Sequence, residues 1–354
     1  MPVLVIAEAG VNHNGSLDRA LELIDVAADC GADVVKFQTF NADRLASRKA
    51  AKAEYQLATT GAAESQHAML KKLELTGADH RKLADYCRTR RIEFMSSPFD
   101  EESVDLLVKE IGVGRLKLGS GEITNAPLLV KAGRSGKPVI VSTGMSSLAD
   151  VERALGALAF GMIGTSDPST GAFADAFASA EGRAALRENV TLLHCTTEYP
   201  APFHDVNLRA MDTMREAFGL RVGFSDHTPG VAMPIAAAAR GAEVIEKHFT
   251  VDKSLPGPDH RASLEPAELR DMVAGIRAVE VALGDGVKVA SEAEKKNIAI
   301  ARKSLTTLAP IRSGEKFTVE NLGVKRPGSG TSPFQLWEWL GRHAERDYDA
   351  DETL

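Results

Sequence analysis

Residues 221–250 read RVGFSDHTPGVAMPIAAAARGAEVIEKHFT. A mostly apolar run, Arg221–His227, is followed by an Ala- and Ile-rich stretch with helical character at 231–240. A second apolar run, Glu243–Thr250, then closes the segment. Strand, helix, strand in this order is the βαβ unit of a parallel sheet. Neither run alternates apolar with polar residues, which is the pattern of strands buried on both faces. Both runs end in residues that carry chemistry: Ser225, Asp226 and His227 in the first, Glu246, Lys247 and His248 in the second.

The same rhythm extends outward through the chain. Further runs of this type are Val3–Ala9, Val34–Phe40, Glu93–Phe99, Arg115–Gly121, Pro138–Gly144 and Val190–Cys195. Helical patterns lie between them. Leu17–Cys30 sets Leu17, Leu21, Ile24 and Ala28 on one face, with Ser16 as its N-cap. Others are expected at 80–90, 101–111, 125–134, 148–160 and 208–218, and a longer one, Glu265–Leu283, follows the eighth strand. Eight strand–helix alternations predict a closed (β/α)8 TIM barrel. A doubly wound open sheet is the alternative, though it rarely needs eight equal units. Two inserts interrupt the rhythm, a polar one at 41–79 and a Gly-, Ala- and Ser-rich one at 161–189, read as a flexible loop or a small helical excursion. Composition changes after Gly284–Gly286. The barrel is therefore assigned to 1–285, a linker to 286–303, and a compact second domain with small strands to 304–354.

With 354 residues and a net charge of −7, the chain lacks the basic footprint of a nucleic-acid-binding protein. A local Lys cluster would still serve a small phosphorylated substrate. The three cysteines, Cys30, Cys87 and Cys195, form neither a disulfide framework nor a zinc spacing. The N-terminus MPVLVIAEAG is not read as a signal peptide, and no stretch approaches the roughly 20 apolar residues of a membrane span. A cytoplasmic enzyme is expected.

Barrel enzymes carry their chemistry at the carboxyl ends of the strands, and every expected strand here ends in polar residues. His227 and His248 end adjacent strands and could share one divalent ion, Mn²⁺, Co²⁺, Zn²⁺ or Mg²⁺, with the mixed N/O ligand set leaning to manganese. Lys36 and Lys117, with Ser97, Ser120 and Ser142, make an anion site for phosphate or carboxylate. Glycines in KLGSGE (117–122) and STGM (142–145) let backbone approach that anion. Glu8 follows an apolar run and is either a general acid/base or a structural partner for a lysine. His194 reads as a core residue with a hydrogen-bond partner, and Lys247 is left open.

Taken in order, IAEAGVNHNG (6–15), VKFQTF (35–40), KLGSGEITN (117–125), VSTGM (141–145), LLHCTTEYPAP (192–202), GFSDHTPG (223–230), EKHFTVDK (246–253), PGPDHRASLEP (256–266) and KRPGSGTSP (325–333) resemble the bacterial sialic acid synthase family over nearly the whole chain. The resemblance implies a barrel followed by a C-terminal domain similar to type III antifreeze proteins, called SAF, in a domain-swapped homodimer where that domain caps the partner's barrel. It implies that His227 and His248 bind manganese, with Mg²⁺ or Co²⁺ as alternatives. Lys36, Ser97, Lys117, Ser120, Ser142 and Ser225 would contact phosphoenolpyruvate, joined by Thr197, where many members have Asn. Ser97 stands where Thr is common. Gln38, Glu122, Tyr199 and Asp259 would contact an N-acylated amino sugar, Arg326 would reach across to the partner's sugar, and Glu8 would be the acid/base.

The implied reaction joins phosphoenolpyruvate to open-chain N-acetylmannosamine and water, giving N-acetylneuraminate and phosphate. Legionaminic or pseudaminic acid synthesis, from a 2,4-diacetamido-trideoxy hexose, is the alternative. More distant rivals are a pyruvate-releasing aldolase of the same product and an ice-binding protein.

Overall fold

The computed structural model describes residues 2–53, 57, 64–164 and 167–354; the other parts of the inserts 41–79 and 161–189 lie outside the described residues. The chain divides into two compact units, Met1–Gly284 and Asp285–Leu354.

The first unit is built on eight strands: β1 Leu4–Gly10, β2 Val34–Thr39, β3 Glu93–Pro98, β4 Leu116–Leu118, β5 Val139–Ser142, β6 Val190–Cys195, β7 Arg221–Asp226 and β8 Val244–His248. They form one sheet in the order β3-β2-β1-β8-β7-β6-β5-β4, and every pairing is parallel. β3 and β4 come side by side, so the sheet curls into a near-closed (β/α)8 barrel. Helices connect the strands, and several of them start on a capping side chain. Ser16 accepts from the Arg19 N–H to cap Leu17–Asp29. Thr76 with Asp79, and Ser147 with Asp150, form capping boxes for Gly77–Arg90 and Leu148–Ile163. The second insert includes the helices Thr170–Ala178 and Ala180–Asn189, the helical excursion rather than the loop.

Two elements differ from expectation. The fourth strand was expected over Arg115–Gly121 but has three residues, because from Gly119 the chain tightens into a 3-10 turn, Ser120–Glu122. That turn lifts Ser120 and Glu122 onto the rim before Asn125 caps Ala126–Arg134. The helix expected at 101–111 is α-helical over Glu101–Asp105 and widens to a π-turn over Leu106–Ile111.

Successive strand residues face opposite sides of the barrel wall. The outward set, including Val5, Ala7, Val35, Phe37, Leu116, Leu118, Val139, Val141, Val222, Phe224 and Ile245, packs under the helices in the main core. The inward set begins with an apolar layer, Ile6, Val34, Met95, Ile140, Leu193 and Val244. Two residues further along each strand, the inward positions are Glu8, Lys36, Ser97, Ser142, Cys195 and Glu246. The apolar layer thus plugs the barrel, and the polar layer above it forms the floor of the mouth.

The second unit has its own small core of Leu305, Ile311, Phe317, Leu322 and Ala344. Ser304–Thr307 and Leu322–Lys325 pair antiparallel within it. The stretch 286–303, expected as a linker, contains a helix, Glu292–Ala301, with a Ser291–Glu294 capping box. No helix among the described residues is long and apolar enough to cross a membrane.

Gly223 occupies the plug layer of β7. A Cβ there would lie 2.3 Å from the Val244 carbonyl oxygen and 2.7 Å from Leu193 Cδ2. Gly223→Ala is expected to lower stability by about 1–3 kcal/mol through overpacking, measured by thermal or urea unfolding. An unchanged unfolding midpoint would mean the layer has room to spare.

Candidate active site

A cavity of about 370 Å³ opens above the polar layer. On its floor, Glu246 of β8 bridges two lysines. Its Oε2 lies 2.8 Å from Lys36 Nζ of β2 and its Oε1 lies 3.1 Å from Lys117 Nζ of β4. Ser225 of β7 donates to the same Oε1 at 2.8 Å. Lys36 Nζ is also 3.1 Å from Glu8 Oε2. All four charged side chains are buried. The pattern follows from the barrel: inward residues on β1, β2, β4 and β8 meet at one depth, and charges taken out of water must find one another.

Their protonation equilibria diverge. Burial pushes the Glu8 carboxyl up to about 7, with Lys36 only partly offsetting it. Burial acts the same way on Glu246, but the two lysines outweigh it and hold that carboxyl well below the usual range. Burial lowers Lys117, while Lys36, with two carboxylates at hand, is held above its ordinary value. With Glu8 only partly ionised near neutral pH, the two ammonium groups outweigh the carboxylate charge, and the floor attracts anions. Ser97, Ser120, Ser142 and Thr197 stand around it. Ser142 Oγ and Thr197 Oγ1 are buried with no hydrogen-bond partner among the described residues, two hydroxyls suited to a ligand. Gly144 is what lets Thr197 come so close, since a Cβ there would lie 2.2 Å from Thr197 Oγ1.

His227 and His248 line the same cavity, with ring centroids 5.5 Å apart. His227 Nδ1 meets the Thr196 carbonyl oxygen at 2.6 Å, which places the proton on Nδ1 and leaves the Nε2 lone pair available. The His248 Nδ1 is buried without a hydrogen-bond partner among the described residues, 3.9 Å from Asp259 Oδ2. Burial lowers both imidazoles, His227 to about 4, so both are neutral at physiological pH, the state in which imidazole binds metal. Among the described residues no group of three or more His, Cys, Asp or Glu converges to hold an ion. The two rings therefore fit a metal whose remaining positions are filled by oxygen from substrate or water.

Lys247, left open by the sequence, faces away from the cavity. Its ammonium and Asp226 form an ion pair of 2.5 Å, both side chains 0% exposed, and Asp226 also accepts from the Thr228 N–H and hydroxyl. This outward clamp ties the ends of β7 and β8 and sets the two histidines that follow it. His194 hydrogen-bonds the Val206 carbonyl at 2.6 Å, as a core histidine does.

Tyr199 stacks beside His227 at 4.1 Å between centroids. Gln38, Glu122 and Asp259 complete the rim. Burial raises Asp259 to about 6 and also raises Glu122, which accepts from Asn125 at 2.7 Å. The cavity therefore collects Glu8, Lys36, Gln38, Ser97, Lys117, Ser120, Glu122, Ser142, Thr197, Tyr199, Ser225, His227, His248 and Asp259. Arg326 belongs to the second unit, where its Nε donates to the Ala301 carbonyl at 2.9 Å.

The NeuB family model matches residues 23–288, most of the chain and nearly all of the barrel. The chain belongs to the NeuB family. It is accordingly an enzyme, a phosphoenolpyruvate-dependent, carbon–carbon bond-forming synthase of nonulosonates, and enzymes of this family are generally metal-dependent. It is 50% identical to the N,N'-diacetyllegionaminic acid synthase of Campylobacter jejuni, covering 99% of this chain and 98% of that one. It is 44% identical to the enzyme of the same name from Legionella pneumophila, covering 100% and 94%. Among solved structures, the N-acetylneuraminic acid synthetase of Leptospira borgpetersenii is 33% identical, with a TM-score of 0.67 over 84% of this chain and 90% of that chain.

Sequence reading had not assigned Glu246 to the site. The signal was present: it lies two residues before His248 and so shares its inward face. Also missed was an apolar wall from the first insert, including Leu45, Met69, Leu70 and Leu73. Glu246→Gln in this synthase would leave two lysines unneutralised. Stability is expected to fall by about 3–5 kcal/mol, as for a broken buried pair, and turnover to fall with it. Urea unfolding and phosphate-release kinetics check this, and wild-type values in both would show that Glu246 merely fills space.

Proposed function

We propose that this protein is an N,N'-diacetyllegionaminic acid synthase. It joins phosphoenolpyruvate to the open-chain aldehyde of a 2,4-diacetamido-trideoxy hexose, with water, releasing phosphate and a nine-carbon 2-keto acid. The observation that carries this reading is the order of identities: 50% and 44% to legionaminic acid synthases against 33% to an N-acetylneuraminic acid synthetase. It displaces N-acetylneuraminate, the product first expected from the motifs. Those motifs act at the aldehyde and phosphoenolpyruvate end, which all these reactions share.

In this reading Lys36 and Lys117, with Ser97, Ser120, Ser142, Thr197 and Ser225, hold the phosphate and carboxylate of phosphoenolpyruvate. Gln38, Glu122, Tyr199 and Asp259 orient the sugar, so the two reacting carbons are held together. Carbon 3 of phosphoenolpyruvate bonds to the aldehyde carbon, and positive charge develops at carbon 2. Glu8, partly ionised near neutral pH, takes a proton from the water that adds there, and that proton passes on to the oxygen of the former aldehyde, which becomes a hydroxyl. The resulting tetrahedral centre expels phosphate into the lysine pocket. An ion held by His227 and His248, Mn²⁺ by preference and Mg²⁺ or Co²⁺ as alternatives, would supply Lewis acidity at the aldehyde oxygen. The second unit is read as an antifreeze-like SAF domain in a domain-swapped homodimer, with Arg326 of one protomer meeting the sugar bound by its partner.

Purified protein is expected to release phosphate from phosphoenolpyruvate with Mn²⁺ and the diacetamido sugar, faster than with N-acetylmannosamine. Pyruvate in place of phosphate would identify an aldolase instead. For a His227→Ala, His248→Ala double variant, metal-dependent turnover should vanish while the fold persists by circular dichroism. Residual turnover that still responds to added Mn²⁺ would exclude these imidazoles as its ligands.

A further inference from the structure

The cavity has two unlike sides. Its ionisable groups stand on the barrel floor and on the loops after the strands. A further wall belongs to the first insert, where Leu45, Met69, Leu70 and Leu73 line the cavity together with Phe99. Gln66 is the wall's polar member among the described residues.

The wall is a fixed surface. Met69 and Leu73 are buried in a separate apolar cluster with Val11 and Phe40, against which Leu45, Leu70 and Phe99 pack. Phe40 and Phe99 meet edge to face at 6.1 Å. Polar links join two of the insert's helices, Ala42–Leu45 and Gln66–Leu73. His67 bonds Asp43 at 2.9 Å, Lys71 lies 3.5 Å from Asp43, and the Glu74 carboxylate accepts from the Ala42 N–H. The cluster rests on Val11, Phe40 and Phe99, the residues just beyond β1, β2 and β3. His248 ends β8, and His227 directly follows β7.

We infer that this wall is the specificity element for the sugar's far end, taking a deoxygenated C6 methyl and N-acyl methyl groups in preference to a C6 hydroxymethyl. The inference rests on the proposed function, which sets the aldehyde at the imidazoles and phosphoenolpyruvate on the lysine floor; the wall is the part of the same cavity lining that those roles leave unassigned. Apolar side chains give a methyl group a dry surface and give a hydroxyl no partner. A pocket of this kind discriminates against an added hydroxyl by about tenfold to a hundredfold and no further. The expected selectivity is therefore graded.

The test compares kcat/KM for the 2,4-diacetamido-trideoxy hexose and for N-acetylmannosamine in the full-length wild type, Leu70→Gln and Leu45→Gln. Both leucines are only partly buried, and each sits on a different insert helix, so either variant suffices if the other is unstable. The wild type should favour the deoxy sugar by about tenfold to a hundredfold. A glutamine in the wall should shrink that ratio about tenfold while KM for phosphoenolpyruvate holds. A ratio unchanged in folded variants overturns the wall assignment and leaves the proposed function standing. A wild type that prefers N-acetylmannosamine overturns the proposed function, and this inference with it.

Discussion

Two lysines share one carboxylate at the bottom of a barrel mouth, and the rest of the site is arranged around that fact. Ammonium and carboxylate groups removed from water are tolerated only when each meets an opposite charge at contact distance. Glu246 reaches Lys36 and Lys117 with its two oxygens, and Lys36 reaches Glu8. The network therefore demands that β1, β2, β4 and β8 present these residues at one height. It also divides labour between the carboxylates: Glu246 stays ionised between the lysines, while Glu8, at the network's edge, is held near neutrality by burial.

The barrel meets that demand through the two-residue period of its strands. An apolar layer at Ile6, Val34, Met95, Ile140, Leu193 and Val244 keeps water from below. The next inward residues form the charged floor, and His227 and His248 stand above it. On the outer face of the same strands, Asp226 and Lys247 pair in complete burial and tie the last turn of β7 to that of β8. One side of each strand thus supplies chemistry, and the other supplies the rigidity that chemistry needs.

The charged floor and the apolar insert wall serve different parts of the reaction. Phosphoenolpyruvate and an aldehyde are common to nonulosonate synthases, and the motifs that carry the resemblance lie around the floor. What distinguishes one sugar from another is remote from the aldehyde. This explains why the motifs identified a reaction class readily and put forward N-acetylneuraminate, whereas identity across the whole chain favours the legionaminic acid synthases.

The barrel was legible because its signal is local. Apolar runs followed by helical patterns repeat eight times, and the polar strand ends announce a mouth. Membership of the inward face could also be counted, two residues at a time, from any one inward position; Glu246 was within reach on that ground. Three features were not legible. The shortening of β4 depends on a 3-10 turn that competes with strand pairing after Gly119. The outward direction of Lys247 and its pairing with Asp226 depend on which strands become neighbours. The apolar wall depends on where an insert of mostly polar composition folds back, which no periodicity within 41–79 encodes. Residue order alone determined the repeating unit and the chemistry at each strand end, because those are properties of a few consecutive residues. Tertiary structure decided which charges neutralise one another and which insert residues line the cavity, because both are distances between residues far apart in the chain.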